Sequence, residues 1–272
     1  MRIINIKPDR SAHLLLAALP FVLVALTYVI ASALRLSENP ADKLLPAFST
    51  MIDSIRHMAF EEDTRTGSYL LWSDTFASAS RLFWALCIST SVALIVGVLM
   101  GLLPLMGAFV GPFIAVASMV PPLALLPILF IVMGLGEASK IALIVIGTLP
   151  FLIRDLALRV AELPREQLIK AQTLGASTWQ ITLRIVVPQM LPRLIDGVRF
   201  SLGPAWLFLI AAEAIASDSG LGYRIFLMRR YLAMDVIIPY VAWITLLAYF
   251  SDTLLVWIQK RAFPWFSDAR AT

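Results

Sequence analysis

The sequence predicts an all-α integral membrane protein, with about six transmembrane helices in one domain over residues 1–272. Three observations carry that prediction. Hydrophobic residues make up 60% of the chain and charged residues only 15%, against about 25% charged in a soluble domain. Apolar runs recur near the roughly 20 residues that a helix needs to cross a bilayer, where lipid offers the backbone no hydrogen-bond partner. The basic residues gather in segments beside those runs, where they set orientation.

The first span is residues 13–34. Arg2, Lys7 and Arg10 before it, with Ala31-Ser32-Ala33 near its end, imitate a cleavable leader. A leader's apolar core is only about 7–15 residues, so this longer run is expected to stay as a helix. The second span is 78–103, from Ser78 through Cys87 to Leu103. The third, 108–133, contains Pro121, Pro122 and Pro127. Proline removes an interior helix hydrogen bond, so Met119-Val120-Pro121-Pro122 is where a kink or break is expected. The fourth span, 139–158, holds Pro150; the fifth, 194–215, holds Pro204; the sixth, 236–259, has Pro239 near its start. Membrane helices tolerate such prolines where neighbouring protein repairs the freed groups.

Orientation follows from the loops. With the N-terminus inside, 13 Lys and Arg fall in cytoplasmic segments, among them Arg154, Arg159 and Arg199, and 9 fall outside, among them Arg81 and Lys140. The bias predicts that both termini lie in the cytoplasm. Basic residues distributed in this way, on a chain of pI near 9.4, read as membrane orientation and not as nucleic-acid binding. One Cys and two His exclude an intrachain disulfide and a Cys/His metal cluster.

Two polar segments remain. Residues 35–77 are expected outside, with Phe48, Met51, Ile52 and Ile55 at helical spacing, predicting a short amphipathic helix on the membrane or on another span. Residues 160–192 are expected in the cytoplasm. There Pro164, Glu166 and Gln167 favour a helix start, Gly175 ends that helix, Ser177 caps a second, and Pro188 is expected to stop it. The segment is either a plain amphipathic linker or a docking element.

Gly175, nine residues, then Ile185-Val186-Val187-Pro188 resembles the EAA loop of ABC importer permeases, E-A-A-x-x-x-G-x9-I-x-L-P. Ala171, Gly175, Ile185 and Pro188 match and Val187 replaces Leu; Ile169 stands for the Glu and Lys170 for the first Ala. Gly134-Leu135-Gly136-Glu137-Ala138-Ser139-Lys140, Ser219-Gly220-Leu221-Gly222-Tyr223 and Phe263-Pro264-Trp265 resemble turns of the nitrate/sulfonate/taurine branch, so the resemblance runs from about 75 to 265. It implies the type I importer fold: two permease subunits, here a homodimer, form the pore within membrane lipid, two ATPase subunits bind below, and an external binding protein delivers substrate. It further implies that Ala171, Gln172, Gly175, Ala176, Ile185 and Pro188 belong to the ATPase-coupling element. No Gly-x4-Gly-Lys-Ser/Thr loop occurs, so ATP and Mg are expected on the partner ATPases, with no cofactor and no catalysis in this chain.

For substrate, the branch implies sulfonates, taurine or nitrate. Lys43-Leu44-Leu45-Pro46, Ile153-Arg154-Asp155-Leu156 and Glu213-Ala214-Ile215-Ala216 resemble a sub-branch accompanying urea carboxylase, which implies guanidine or urea. Glu213, an acid inside the fifth span, lines the pathway or pairs structurally with Arg81; Met119, Pro121 and Pro122 are the other pathway candidates. Asp196 and Asp252 are expected near the interface, and Gly97 with Gly101 at a close helix contact. A secondary transporter or channel working without an ATPase is the alternative; it would show repeated halves or charges deep in several spans.

Overall fold

A computed structural model describes residues 9–40, 42–64, 67–215 and 217–268. Arg2, Lys7, Arg65, Ala216 and Arg270 lie outside them. All secondary structure among the described residues is helical: α1 Arg10–Glu38, α2 Phe48–Phe60, α3 Leu70–Leu102, α4 Pro104–Ala117, α5 Leu126–Met133, α6 Glu137–Ala161, α7 Arg165–Thr173, α8 Thr178–Ile181, α9 Val187–Ile215, α10 Leu221–Arg229, α11 Met234–Ala262 and α12 Pro264–Asp268. Five of these helices are long and apolar enough to cross a membrane, or six where the bent pair α4–α5 counts as one span.

Side-chain pairs fix the relative directions. Arg81 meets Glu137, Ser89 Oγ lies 2.9 Å from Thr148 Oγ1, and Gly97 and Gly101 abut Ile153–Val160, so α3 and α6 run parallel. The chain between two parallel neighbours must travel back the full length, and α4 with α5 make that return. They meet at 80°, joined by a 3-10 turn over Pro122–Leu125. The prolines expected to break the third span do so at residues 118–121. α9 runs antiparallel to α6, with Phe208 against Gly147, and antiparallel to α11, where Gln259 Nε2 donates to Pro192 O at 2.7 Å and Asp196 Oδ1 at 2.9 Å. One end of the bundle thus carries α2 and α10, and the other carries α7 and α8.

Two apolar cores fill the bundle. Leu82, Leu143, Leu209 and Tyr240 centre the one towards α10, and Val98, Leu156, Val186 and Met190 the one towards α7. The glycines at the α3–α6 contact explain its closeness. A Cβ on Gly101 would lie 2.6 Å from Ala157 O and 2.7 Å from Val160 Cβ, so Gly97 and Gly101 serve packing within this chain. Gly101→Ala is expected to force the helices apart, at about 1–3 kcal/mol, and to lower the melting temperature of the detergent-purified protein. Gly111→Ala, whose Cβ enters open space, is expected to leave it unchanged or raised. Equal melting of both variants would contradict this packing.

α1 lies apart from both cores, its apolar side chains exposed around the helix; Tyr28 Oη donates to Pro46 O at 2.8 Å and Ser32 Oγ to Leu45 O at 2.9 Å. The amphipathic helix expected from Phe48, Met51, Ile52 and Ile55 is α2. It buries Met51 against its neighbours, and Ser54 Oγ donates to Asp235 Oδ2 of α11 at 2.6 Å.

Several charges counted with the flanking segments for orientation also fall at the ends of the expected spans 78–103, 139–158 and 194–215, and the helices contain them. Arg81 is buried in α3, Lys140 is buried in the first turn of α6, and Arg199 lies in α9. Asp196 and Asp252 both face Arg199: the part-exposed Asp252 takes two hydrogen bonds, 2.7 and 3.0 Å, and Asp196 is 3.7 Å away and buried. Each of these cations has an acid on a neighbouring turn or helix, which offsets the cost of taking its charge out of water.

Candidate coupling surface and translocation pathway

The segment from α7 to α9 is a helical hairpin whose turn is satisfied by its own atoms. Gly175 has φ +79°, the left-handed conformation that glycine adopts without a Cβ penalty. The Gly175 N–H then donates to Gln172 O at 2.9 Å and the Ala176 N–H to Ala171 O at 3.0 Å, the paired bonds of a Schellman motif. Immediately afterwards Ser177 forms a capping box: the Gln180 N–H donates to Ser177 Oγ, and the Ser177 N–H to Gln180 Oε1 at 2.8 Å. The backbone direction through this turn is therefore set locally.

Pro188 does not stop the second helix, contrary to the expectation from sequence. α8 widens into a π turn over Thr182–Val186, where the Val187 N–H reaches five residues back to Thr182 O, and then continues as α9. The extra residue absorbs the clash between the proline ring and the preceding turn. Gln189 Nε2 also donates to Ile185 O at 2.9 Å, satisfying a carbonyl near the proline.

The residues expected to dock a partner divide by face. Ala171 is buried, and Ala176 and Ile185 pack against the core towards α7, so these three hold the hairpin to its own bundle. Gln172, Gly175 and Pro188 are exposed. The outward apolar residues are ones that motif matching missed: Leu174 is 87% exposed and Trp179 68%, with Ile169 also exposed. Large apolar side chains on a polar segment at a bundle end were the available signal.

At the other end, buried charges bind α10 to the spans. Asp74 of α3 accepts from Arg224 Nε at 2.8 Å, the Gly220 N–H at 3.0 Å and Tyr240 Oη at 3.2 Å. Burial opposes the charge of Arg224, but the hydrogen bond and the charge of Asp74, with smaller help from Tyr240 and Tyr223, together outweigh it and hold the guanidinium above its usual pKa. Glu213 is fully buried; it accepts from Arg81 Nη1 at 2.6 Å, Ser78 Oγ at 2.8 Å and the Gly222 N–H at 2.8 Å. Arg81 also binds Glu137 and donates to Ser219 O at 2.8 Å. Glu213 was expected either to line a pathway or to pair with Arg81, and its geometry is that of the pair.

Of the other pathway candidates, Met119 is 76% exposed and Pro121 is exposed, while Pro122 lines a cavity of about 440 Å³ where α4 meets α5. Ser118, Val120, Gly147, Pro150, Phe208 and Arg154 also face it. Arg154, counted as cytoplasmic for orientation but within the fourth span 139–158, stands in α6 and donates to Ser118 Oγ at 2.8 Å.

Residues 90–267 match the family described as binding-protein-dependent transport system inner membrane component. The chain is 34% identical to the taurine transport system permease protein TauC of Escherichia coli over 200 residues, 74% of this chain and 73% of that one. It is 28% identical to the bicarbonate transport system permease protein CmpB of Synechococcus elongatus, over 70% of this chain and 69% of that one. A structure of the MetNI methionine ABC transporter, described as inward facing, superposes with a TM-score of 0.59 at 18% identity, covering 71% of this chain and 94% of that one, which establishes the shared fold. The chain belongs to the family of binding-protein-dependent transport system inner membrane components: it is a multi-pass ABC importer permease of the nitrate/sulfonate/taurine branch.

Proposed function

We propose that this chain forms, with a second copy of itself, the translocation pathway for a small anion, and that α7, α8 and their turn are the surface on which a partner ATPase docks. The observation that carries the docking assignment is the hairpin itself. Its turn is locked by its own hydrogen bonds, its inner face is fixed to the core, and Leu174 and Trp179 project outward. A rigid apolar knob of this kind transmits a push without deforming. In the proposed arrangement the α7 end faces the cytoplasm, with ATP and Mg on the partner, and the α10 end receives substrate from an external binding protein. A sulfonate or carboxylate substrate is supported by the named relatives and by the arginine at the cavity. A carrier working without an ATPase finds no support in the family.

Topology tests this directly. In a Cys87→Ala background, Asp218→Cys is expected to react with a membrane-impermeant thiol reagent in intact cells. Gln172→Cys, which leaves the Ser177 cap untouched, is expected to react only after the membrane is opened. Both positions are exposed, so protection reports sidedness and not burial. Labelling of Gln172→Cys in intact cells would overturn the proposed orientation and the ATPase docking that depends on it.

A further inference from the structure

We infer that Arg154 is the residue that selects for negative charge in the translocation pathway, holding the anionic head of the solute at the bend between α4 and α5. The inference rests on the importer assignment and adds to it the residue that recognises charge. A guanidinium carries five N–H donors in a planar fork suited to sulfonate and carboxylate oxygens. Among the described residues, Arg154 uses one of them, on Ser118 Oγ. The remaining donors have no carboxylate partner. The one acid beside it on the cavity wall, Asp155, is engaged instead by Arg159, whose Nε lies 2.7 Å from Asp155 Oδ2. Elsewhere in this molecule, by contrast, Arg81, Arg199 and Arg224 are each bound by acids.

The setting strengthens the field of that charge. The remaining wall is mainly apolar, from Val120, Pro122, Ile146, Pro150, Phe151 and Phe208, and low-dielectric surroundings raise the interaction of a cation with an arriving anion. The cavity, at about 440 Å³, is of a size that takes a small solute. Arg154 is exposed on the cavity face and stands seven residues, about 10 Å, before the end of α6, so its charge lies along the helix and not at its terminus. The contact with Ser118 places it at the 80° bend. An anion taking up the free donors is thereby held against the segment where α4 gives way to α5.

Two thiol reagents of similar size and opposite charge read this field: 2-sulfonatoethyl methanethiosulfonate, itself a sulfonate, and its trimethylammonium counterpart. The full chain carries Cys87→Ala and Val120→Cys, which puts one thiol on the cavity wall and leaves the Ser118 contact intact. Rates are divided by those of a free thiol in solution. At low salt the anionic reagent is expected to be favoured about five-fold or more, the preference shrinking as salt is added. Arg154→Gln is expected to bring the ratio to about one, and Arg154→Lys, which keeps the charge, to retain the preference. A ratio near one with Arg154 present, or a ratio that Arg154→Gln does not change, would overturn the inference. The ratio reports cavity charge whether or not the chain drives import. Failure of the importer assignment would show separately, as absent ATP-dependent uptake by the assembled complex.

Discussion

Glu213→Ala is expected to cost the fold about 3 kcal/mol or more, because it takes one of two carboxylates from the buried Arg81, which keeps Glu137, and leaves two buried donors without an acceptor. Glu213 is fully buried and Arg81 is 4% exposed, so water cannot replace the lost carboxylate. The same change frees the Gly222 N–H and Ser78 Oγ, which Glu213 accepts from, and so loosens α10 as well as α3. Glu213→Gln keeps an acceptor of the same shape and is expected to lose less. The double variant Arg81→Met/Glu213→Met removes both charges and is expected to recover only part of the loss, since the Gly222 N–H stays without a partner. Thermal melting of the detergent-purified chains checks all three. A Glu213→Ala protein that melts like the parent while transport fails would move Glu213 from the fold to the pathway.

Much of the fold is legible because its signals are local. Each apolar run marks a span whatever surrounds it, and Pro121-Pro122 marks the bend because no helix can continue regularly through both. The turn at Gly175 and Ser177 is equally readable, since its hydrogen bonds join residues no more than five apart. What sequence does not display is pairing over distance. Arg81 and Glu213 are separated by 132 positions and Asp74 and Arg224 by 150, and only the parallel course of α3 and α6 beside α9 and α10 brings them together. For the same reason the acids that face Arg81 and Arg199 are not visible in sequence, although both cations fall at the ends of expected spans. Pro188 misleads in another way. A proline is a stop only where the helix cannot spare a residue, and the π turn before it spares one.

The cavity at the bend between α4 and α5 was only partly legible. Motif and proline positions led to Met119, Pro121 and Pro122: Pro122 lines the cavity, beside Ser118 and Arg154 that they did not indicate, while Met119 and Pro121 are exposed beside the bend. Arg154 belongs to a stretch, Ile153-Arg154-Asp155-Leu156, in which the acid next in sequence looks like its partner. Helical geometry turns Asp155 to Arg159 four residues on instead, as i,i+4 pairs do.

The second large effect is expected at Leu174 and Trp179. Both project from a hairpin whose fold does not depend on them, so Leu174→Ser/Trp179→Ser is expected to leave thermal melting unchanged. Buried in a partner groove, two such anchors are each worth about 2 kcal/mol, so their joint loss weakens docking by a hundred-fold or more. The measurement that tests this most directly is ATP hydrolysis by the permease reconstituted in proteoliposomes with its ATPase subunits, with and without loaded binding protein. The parent complex is expected to hydrolyse ATP faster when the loaded binding protein is added, and the double variant to lose that stimulation at least ten-fold while remaining folded in the membrane. Undiminished stimulation in the double variant would contradict the assignment of this hairpin as the element that couples ATP hydrolysis to transport.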